Sequence, residues 1–125
     1  MKANEQVEEP NVSYTLLNRD ELQPYGNTYE FEGQQYGNTN ISFIWVDMPP
    51  GDSIRLHKHP YEEVFIIQEG FVTFTVDSTL LEAQAGQVVI VPADMPHKFV
   101  NSGNGQLRQI DIHVSKQIIT QWLED

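Results

Sequence analysis

The chain has 125 residues with 18 acidic and 7 basic side chains, which give a formal net charge of −11, and 39% of its residues are hydrophobic. That length suits one domain with a proper core and is too short for two. The negative charge, with no Lys/Arg cluster to offset it, argues against binding to nucleic acid or to an anionic membrane surface. The absence of cysteine excludes disulfides, thiolate ligands and a Cys nucleophile.

The first eleven residues, MKANEQVEEPN, are polar and acidic and lack the apolar core of a signal peptide. We expect residues 1–11 to form a flexible acidic arm and residues 12–125 to form a single domain. No apolar run approaches the length of a membrane span, so we expect a cytoplasmic protein without a membrane partner.

Along the rest of the chain, short segments of alternating apolar and polar residues are separated by turn signals. The predicted strands, in chain order, cover residues 12–17, 41–48, 64–68, 71–76, 79–83, 88–91, 98–101 and 107–114, and residues 18–40 are rich in turn-forming residues. Strands at this spacing favour an all-β barrel or sandwich. One helix is predicted over residues 115–123, where an apolar stripe follows a Ser115 N-cap.

Three of the four histidines lie in two short blocks together with one glutamate. In an extended segment His57 and His59 point to the same side, and a turn at residues 60–62 can return Glu63 beside them. His97 comes from a distant segment, which a closed or sandwiched sheet would bring near. Three imidazoles and one carboxylate suit a divalent ion such as Fe, Mn, Ni, Cu or Zn. A single H-x-H pair is often accidental, whereas the complete set predicts one mononuclear metal site.

The two blocks resemble the paired signature motifs of the cupin superfamily. The first motif, G-x5-H-x-H-x3-E-x6-G, is matched from Gly51 to Gly70, and the second, G-x5-P-x-G-x2-H-x3-N, is matched at Gly86, Pro92, His97 and Asn101. Asp94 stands where the second motif has glycine. That glycine serves a turn, and aspartate tolerates the left-handed backbone region better than most residues do.

The resemblance implies a small single-domain cupin, which is a double-stranded β-helix (jelly-roll barrel), here with a short C-terminal helix. It also implies one divalent transition metal ion per chain, Fe, Mn, Ni or Zn, with Fe(II) slightly favoured. The implied ligands are His57, His59, Glu63 and His97, and the x3 spacing selects Glu63 over Glu62. Small cupins commonly dimerise, so we expect a homodimer.

Strand parity predicts which neighbours share the ligand side of each strand. It places Phe65, Ile67 and Phe99 around the ion as an apolar wall for a substrate, although ordinary core packing explains the same residues. It also places Arg55 inward, as a cation for a substrate carboxylate or enolate. The alternative, which we favour, is that Arg55 meets solvent at the barrel mouth.

His113, the remaining histidine, shares a strand face with Gln109 and Asp111. That face is either outer and wet or lines a polar cavity. Inside a cavity, His113 would be a candidate general base near the ion, and an uncoordinated Glu63 could also take a proton.

We expect a metal-dependent enzyme acting on a small organic molecule, with dioxygenase chemistry slightly favoured over isomerase or lyase chemistry. The alternative is a non-catalytic module or sensor that binds a metal or a small molecule. A structural barrel with a vestigial site is the third reading, but unpaired buried histidines and a glutamate would be costly to keep.

Overall fold

The computed structural model describes residues 14–125, so the arm predicted for residues 1–11 lies outside the described part. Two short 3-10 turns, Arg19–Glu21 and Gly33–Gln35, accompany a fold made of strands. The strands are β1 (Gln23–Tyr25), β2 (Thr28–Phe31), β3 (Ser42–Met48), β4 (Ser53–Lys58), β5 (Glu63–Glu69), β6 (Phe71–Val76), β7 (Thr79–Gln84), β8 (Val88–Val91), β9 (His97–Asn101), β10 (Leu107–His113) and β11 (Gln121–Trp122).

The strands form two antiparallel sheets that face each other. One sheet has the order β11-β4-β9-β6-β7 and the other has the order β1-β2-β3-β10-β5-β8. Neighbouring strands in each sheet are often distant in the sequence, as β4 and β9 are in the first sheet and β3 and β10 are in the second. This arrangement confirms the predicted all-β jelly-roll barrel. No helix among the described residues has the length and apolar character needed to cross a bilayer.

The core lies between the sheets because each strand buries every second side chain. In β10, for example, Leu107, Gln109, Asp111 and His113 are buried and the residues between them are not. The apolar core comprises Val46, Met48, Phe65, Ile67, Val72, Phe74, Ala83, Val89, Val91, Phe99 and Leu107. At one end of the barrel the inward-facing residues change from apolar to polar, and that end holds the histidines.

The predicted C-terminal helix is wrong. Residues 117–124, which we call the strap, are extended and cross the barrel mouth, and within the strap β11 pairs with the edge of β4. Three consecutive β-branched residues, Ile118, Ile119 and Thr120, disfavour a helix. The strap's backbone donors find distant partners instead: the Ile118 N–H bonds to the Glu32 carboxylate at 3.0 Å and the Leu123 N–H to the Leu56 carbonyl at 2.9 Å.

The N-terminal part of the described chain also differs from the prediction. The strand predicted at residues 12–17 is absent over residues 14–17, which are irregular, and the side chains of Tyr14 and Leu16 are exposed. An alternating pattern gives a strand only where a neighbouring strand and a core face receive it. Conversely, the turn signal at Gly26 and Asn27 belongs to a short hairpin of β1 and β2 that was not predicted.

Two positions of the second motif, Asp94 and Asn101, have structural roles in the backbone. Asp94 has φ of 65°, so the residue that replaces the motif glycine adopts the left-handed conformation, and its N–H bonds to the His59 carbonyl at 2.7 Å. The amide of Asn101 donates to the carbonyls of Met48 and Gly105 and accepts from the Gly103 N–H. Asn101 therefore fixes the loop after β9 and contributes no group to the histidine end of the barrel.

Candidate metal centre

The ends of three strands bring the four predicted ligands together at one end of the barrel. His57 lies near the end of β4, Glu63 begins β5, His97 begins β9, and His59 follows β4 directly. Across the ladder of β4 and β9, His97 is the register partner of His57. All four side chains are buried, and each offers a ligand atom within 4.8 Å of the others.

The imidazoles converge on the carboxylate of Glu63. Its Oε1 atom lies 3.0 Å from Nε2 of His97 and 3.1 Å from Nε2 of His59. Nε2 of His59 nevertheless has no hydrogen bond of good geometry within the described chain, although it is buried. A buried polar atom without a partner is costly, and a metal ion at the point of convergence would satisfy it.

The opposite nitrogen of each of the three imidazoles is already engaged by a backbone carbonyl. Nδ1 of His57 bonds to the Arg55 carbonyl at 2.7 Å, and Nδ1 of His97 bonds to the Met95 carbonyl at 2.9 Å. Nδ1 of His59 bonds to the Ile119 carbonyl in the strap at 2.8 Å. A carbonyl only accepts, so each Nδ1 carries the proton and each Nε2 keeps a free lone pair. This is the tautomer that a metal ligand needs, and the outer hydrogen bond fixes the ring orientation.

The protonation states also suit a cation. Burial, helped by the neighbouring imidazoles of His97 and His59, lowers the pKa of His57 to about 4, so this ring is neutral at pH 7. Burial alone would raise the pKa of Glu63, but the imidazole of His113, which faces the carboxylate, outweighs it, and the pKa lies well below the usual range. Three imidazoles and one carboxylate thus form a His/Glu group that fits a divalent transition ion.

His113 lies in the same cluster, so its strand face lines the polar cavity and is not the wet outer one. It is the register partner of Glu63 across β10 and β5, and its Nε2 atom lies 3.1 Å from Oε2 of Glu63. Its Nδ1 atom lies 2.6 Å from the hydroxyl of Tyr61, which also accepts the Ile119 N–H at 3.1 Å. Because Glu63 is ionised, the consistent assignment is that Tyr61 donates to Nδ1 and that Nε2 carries the imidazole proton.

A cavity of about 60 Å³ borders the cluster, with room for roughly five water molecules. Its walls combine the site histidines with apolar side chains and two further acids, and they include Glu30, Ile44, Ile54, Phe99, Asp111, Ile118, Thr120 and Trp122. Burial and the charge of Glu63 raise the pKa of Asp111 well above its ordinary value. Burial also raises the pKa of Glu30.

The three predicted wall residues divide into two groups. Phe99 lines the cavity. Phe65 and Ile67 lie in the apolar core, where the Phe65 ring makes T-shaped contacts with the rings of His97, Phe74 and Phe99. Phe65 therefore packs against the His97 ring from the core, and Ile67 lies within the core of the barrel.

Arg55 is exposed and does not line the cavity, which agrees with the alternative that we favoured and not with the inward orientation given by strand parity. The pairing of β9 with β4 shifts register between His97 and Phe99, and Phe99 pairs with Ile54 where strict alternation would give Arg55. The bulge turns Ile54 towards the cavity and leaves Arg55 exposed. The Arg55 guanidinium stacks 4.2 Å from the ring centre of Trp122 and donates to the Glu124 carbonyl.

Several residues at the site were missed by sequence reasoning. Ile118, Thr120 and Trp122 alternate into the cavity, and the Trp122 ring lies 5.1 Å from that of His57. Tyr61 stacks on His59 with ring centres 5.1 Å apart and links His113 to the strap. The alternation of residues 118, 120 and 122 indicated an extended segment, but residues 115–123 also match the apolar pattern of an amphipathic helix.

A jelly-roll barrel with a buried three-histidine, one-glutamate group at one end defines the class of protein. Residues 44–113, more than half of the chain, match the cupin domain family. The chain belongs to this family, as the two motifs predicted.

Relatives of differing activity share the domain. The polyketide synthase protein CurC of Streptomyces cyaneus is 36% identical over 69 residues, which are 54% of this chain and 44% of that protein. The HTH-type transcriptional regulator PuuR of Escherichia coli is 27% identical over 110 residues, which are 85% of this chain and 60% of that protein. The chain therefore spans only about half the length of these curated relatives.

Among solved structures, oxalate decarboxylase of Bacillus subtilis, studied for its Mn(II) centres, superposes with a TM-score of 0.79 at 25% identity. The match covers 94% of this chain and 35% of the oxalate decarboxylase chain. The likeness extends over nearly the whole described barrel, whereas most of the larger enzyme has no counterpart here.

Proposed function

We propose that the protein is a metal-dependent cupin enzyme that acts on a small organic molecule. The observation that carries the proposal is the common tautomer of the three ligand histidines. Each Nδ1–H donates to a backbone carbonyl, which leaves a lone pair on each Nε2 atom, and the ligand atoms of the four residues lie within 4.8 Å of one another. Buried lone pairs without a partner destabilise the folded protein, whereas coordination to a transition ion would satisfy all three.

The proposed ligands are His57, His59, Glu63 and His97. A divalent ion held by them supplies Lewis-acid activation of a substrate oxygen, and an iron ion adds dioxygen chemistry. Fe(II) dioxygenase chemistry is our first assignment, with isomerase or lyase chemistry as the alternative. Manganese gains support from the Mn(II) centres studied in the oxalate decarboxylase neighbour.

Two groups of the chain are placed to move protons. Glu63 is ionised and accepts a proton at its carboxylate, so it takes the role of base. His113 presents its Nε2 proton towards Glu63 Oε2 and the cavity, so in this tautomer it acts as a donor. Tyr61 fixes that tautomer through Nδ1 and closes the cavity on the His59 side together with the strap.

The first experiment is elemental analysis of tag-free protein beside three variants. We expect about one transition ion per chain in the unaltered protein, and loss of that ion in the His57→Ala/His59→Ala double variant and in Glu63→Gln. Glu62→Gln is the matched control, because it removes the adjacent, exposed carboxylate and should keep the metal. No bound metal after anaerobic reconstitution with Fe(II), Mn(II), Ni(II) and Zn(II) would refute the proposal. Dioxygen uptake during turnover would then separate dioxygenase from isomerase or lyase chemistry.

The second candidate function is a non-catalytic sensor module, and the match to the regulator PuuR over 85% of this chain favours it. Residues 14–125 contain no helix-turn-helix, so a DNA-reading unit would have to be supplied elsewhere. Ligand binding that stabilises the metal-loaded protein without any chemical change in the ligand would support this candidate over the enzyme.

We also propose that the protein forms a homodimer, through the outer face of the six-stranded sheet. Two cross-strand rows of apolar residues cover this face: Trp45, Ile110, Ile66 and Val88, and Phe43, Ile112, Val64 and Ile90. An antiparallel sheet that faces water is normally polar on its outer side. A flat apolar face of this kind can pack on its own copy about a two-fold axis, sheet against sheet. We further propose a cytoplasmic location, as expected from the sequence.

A further inference from the structure

A surface groove lies next to the cavity of the metal centre. It has a volume of about 270 Å³, and its walls include the turn of the β1–β2 hairpin and the start of β4. Four residues, which we call the neck, line both the inner cavity and this groove: Tyr25, Thr28, Ile54 and Trp122. Because the neck borders the cavity on one side and the groove on the other, it marks a passage between solvent and the histidine cluster.

Hydrogen bonds hold both sides of the neck in place. On the hairpin side, the Asn27 amide donates to the Asp52 carboxylate, and the Asp47 N–H donates to the Asn27 carbonyl at 3.1 Å. On the strap side, the carboxylate of Glu124 accepts from the Leu56 N–H at 2.9 Å. The width of the neck is therefore set by the fold on both sides.

Trp122 is the largest side chain of the neck, and two neighbours fix its ring. The indole lies 5.1 Å from the His57 ring, and the Arg55 guanidinium lies 4.2 Å from the centre of the indole. Rotation of the indole out of the neck would break both contacts, one of which is a cation–π interaction. The indole thus forms a partition between the cavity and the groove.

The two spaces separated by the indole differ in the size of group that they can hold. A protein cavity that accommodates benzene measures about 150 Å³. The inner cavity, at about 60 Å³, is smaller than this, whereas the groove, at about 270 Å³, is larger. The Trp122 ring therefore decides whether a bulky substituent has room when its ligand is bound at the histidine cluster.

We propose that Trp122 is a specificity-determining residue, which restricts the metal centre to small aliphatic ligands and excludes their aryl analogues. This inference rests on the proposed function of the cavity as the substrate site beside the metal ion. A ligand of this class has an oxygen or nitrogen donor for the ion and few other non-hydrogen atoms. A phenyl substituent would have to displace the indole from its contacts with His57 and Arg55, which penalises the larger ligand.

Acetohydroxamic acid and benzohydroxamic acid are matched probes of this restriction. They share one metal-binding group and differ in a methyl group against a phenyl ring. Without a size limit the phenyl compound would bind more tightly, because it buries more apolar surface. With the limit in place, we expect acetohydroxamic acid to bind at least about tenfold more tightly.

The test is a titration of the Zn(II)-loaded protein and of the metal-free protein with each probe. Binding is followed by the NMR shifts of Ile44 and Phe99, which line the cavity and lie outside the strap. The metal content of each sample is measured after the titration. The metal-free samples give the preference independently of how well a variant retains the ion.

Two variants open the neck from different sides. In Trp122→Ala the difference between the probes should fall below about threefold or reverse, because the phenyl ring then extends into the groove. Ile54→Ala widens the neck from β4 without altering the strap, and it should reduce the difference in the same direction. Leu123→Ala is the matched control, because it alters the strap at a side chain that lines neither space and should leave the preference unchanged.

Four outcomes would overturn the inference. They are equal or tighter binding of benzohydroxamic acid to the unaltered protein, a preference that persists in both neck variants, the same reduction in Leu123→Ala, and no cavity shift with either probe in either form. A chain that binds no metal refutes the proposed enzyme, whereas the ranking of the two probes on the metal-free chain still decides the size restriction.

Discussion

The imidazole of His59 is held by the backbone carbonyl of Ile119, 2.8 Å from its Nδ1 atom and sixty residues further along the chain. This bond makes the strap part of the metal site, because it sets both the tautomer and the orientation of one ligand. The N–H of Ile119 bonds to the Tyr61 hydroxyl, so one residue of the strap contacts both Tyr61 and His59. Detachment of the strap would thus remove the hydrogen bond that orients His59 and would also remove one wall of the cavity.

We predict that Trp122→Ala accelerates metal loss. Trp122 packs on the His57 ring and under the Arg55 guanidinium, and its removal should loosen the strap from the edge of β4. A loosened strap would weaken the hydrogen bond of the Ile119 carbonyl to His59. Loss of such an outer bond to a metal ligand typically costs 10- to 100-fold in affinity, so we expect chelator-driven dissociation of the ion to be about tenfold faster. Leu123→Ala is the control, since Leu123 is also on the strap but is absent from the cavity lining. Equal dissociation rates in Trp122→Ala and Leu123→Ala would show that the strap does not hold the ion.

We predict that Tyr61→Phe changes the tautomer of His113. The substitution leaves Nδ1 of His113 and the N–H of Ile119 without their shared partner. We expect a loss of about 1–3 kcal/mol in the free energy of unfolding, because buried polar groups lose their hydrogen bonds. Nitrogen-15 NMR of the imidazole would report the tautomer, with a proton on Nε2 in the unaltered protein and redistribution to Nδ1 in the variant. Tyr36→Phe, in a phenol that stacks on Phe31 away from the cavity, should change neither quantity.

Most strands and the grouping of the four candidate ligands were predictable from the sequence because their signals are local. Alternation specifies a strand wherever a core face receives it, and the spacing of His57, His59 and Glu63 follows from one strand end and one turn. Strand parity misplaced Arg55 because a bulge in the pairing of β9 with β4 breaks the alternation, and no local feature of the sequence indicates that bulge. The strap was mistaken for a helix because its backbone partners, such as the Glu32 carboxylate, lie far away in the sequence. Long-range contacts of this kind also concealed the roles of Tyr61 and Trp122.

We predict that the metal-free protein loses stability as the pH falls from about 6.5 to about 4. The pKa of His57 is about 4 in the folded state, against 6.5 for an ordinary histidine, so in this interval the unfolded chain binds a proton that the folded chain does not. The shift corresponds to roughly 3 kcal/mol across the interval. Urea unfolding of metal-free protein at several pH values would measure it. A His57→Asn variant should show a smaller loss over the same interval, and an identical pH dependence in the two proteins would contradict this origin.

We predict that Ile66→Glu converts the proposed homodimer to a monomer. Ile66 lies in the middle of an apolar row, between Ile110 and Val88, and 37% of its surface is exposed in the single chain. A glutamate there leaves the barrel core untouched but would bury a charge in the dimer interface, which is strongly unfavourable. Light scattering coupled to size-exclusion chromatography would give the mass of each form. Leu80→Glu provides the control, because Leu80 is exposed on β7 of the other sheet and its replacement should leave the dimer intact. If Leu80→Glu dissociates the dimer and Ile66→Glu does not, the interface lies on the five-stranded sheet instead.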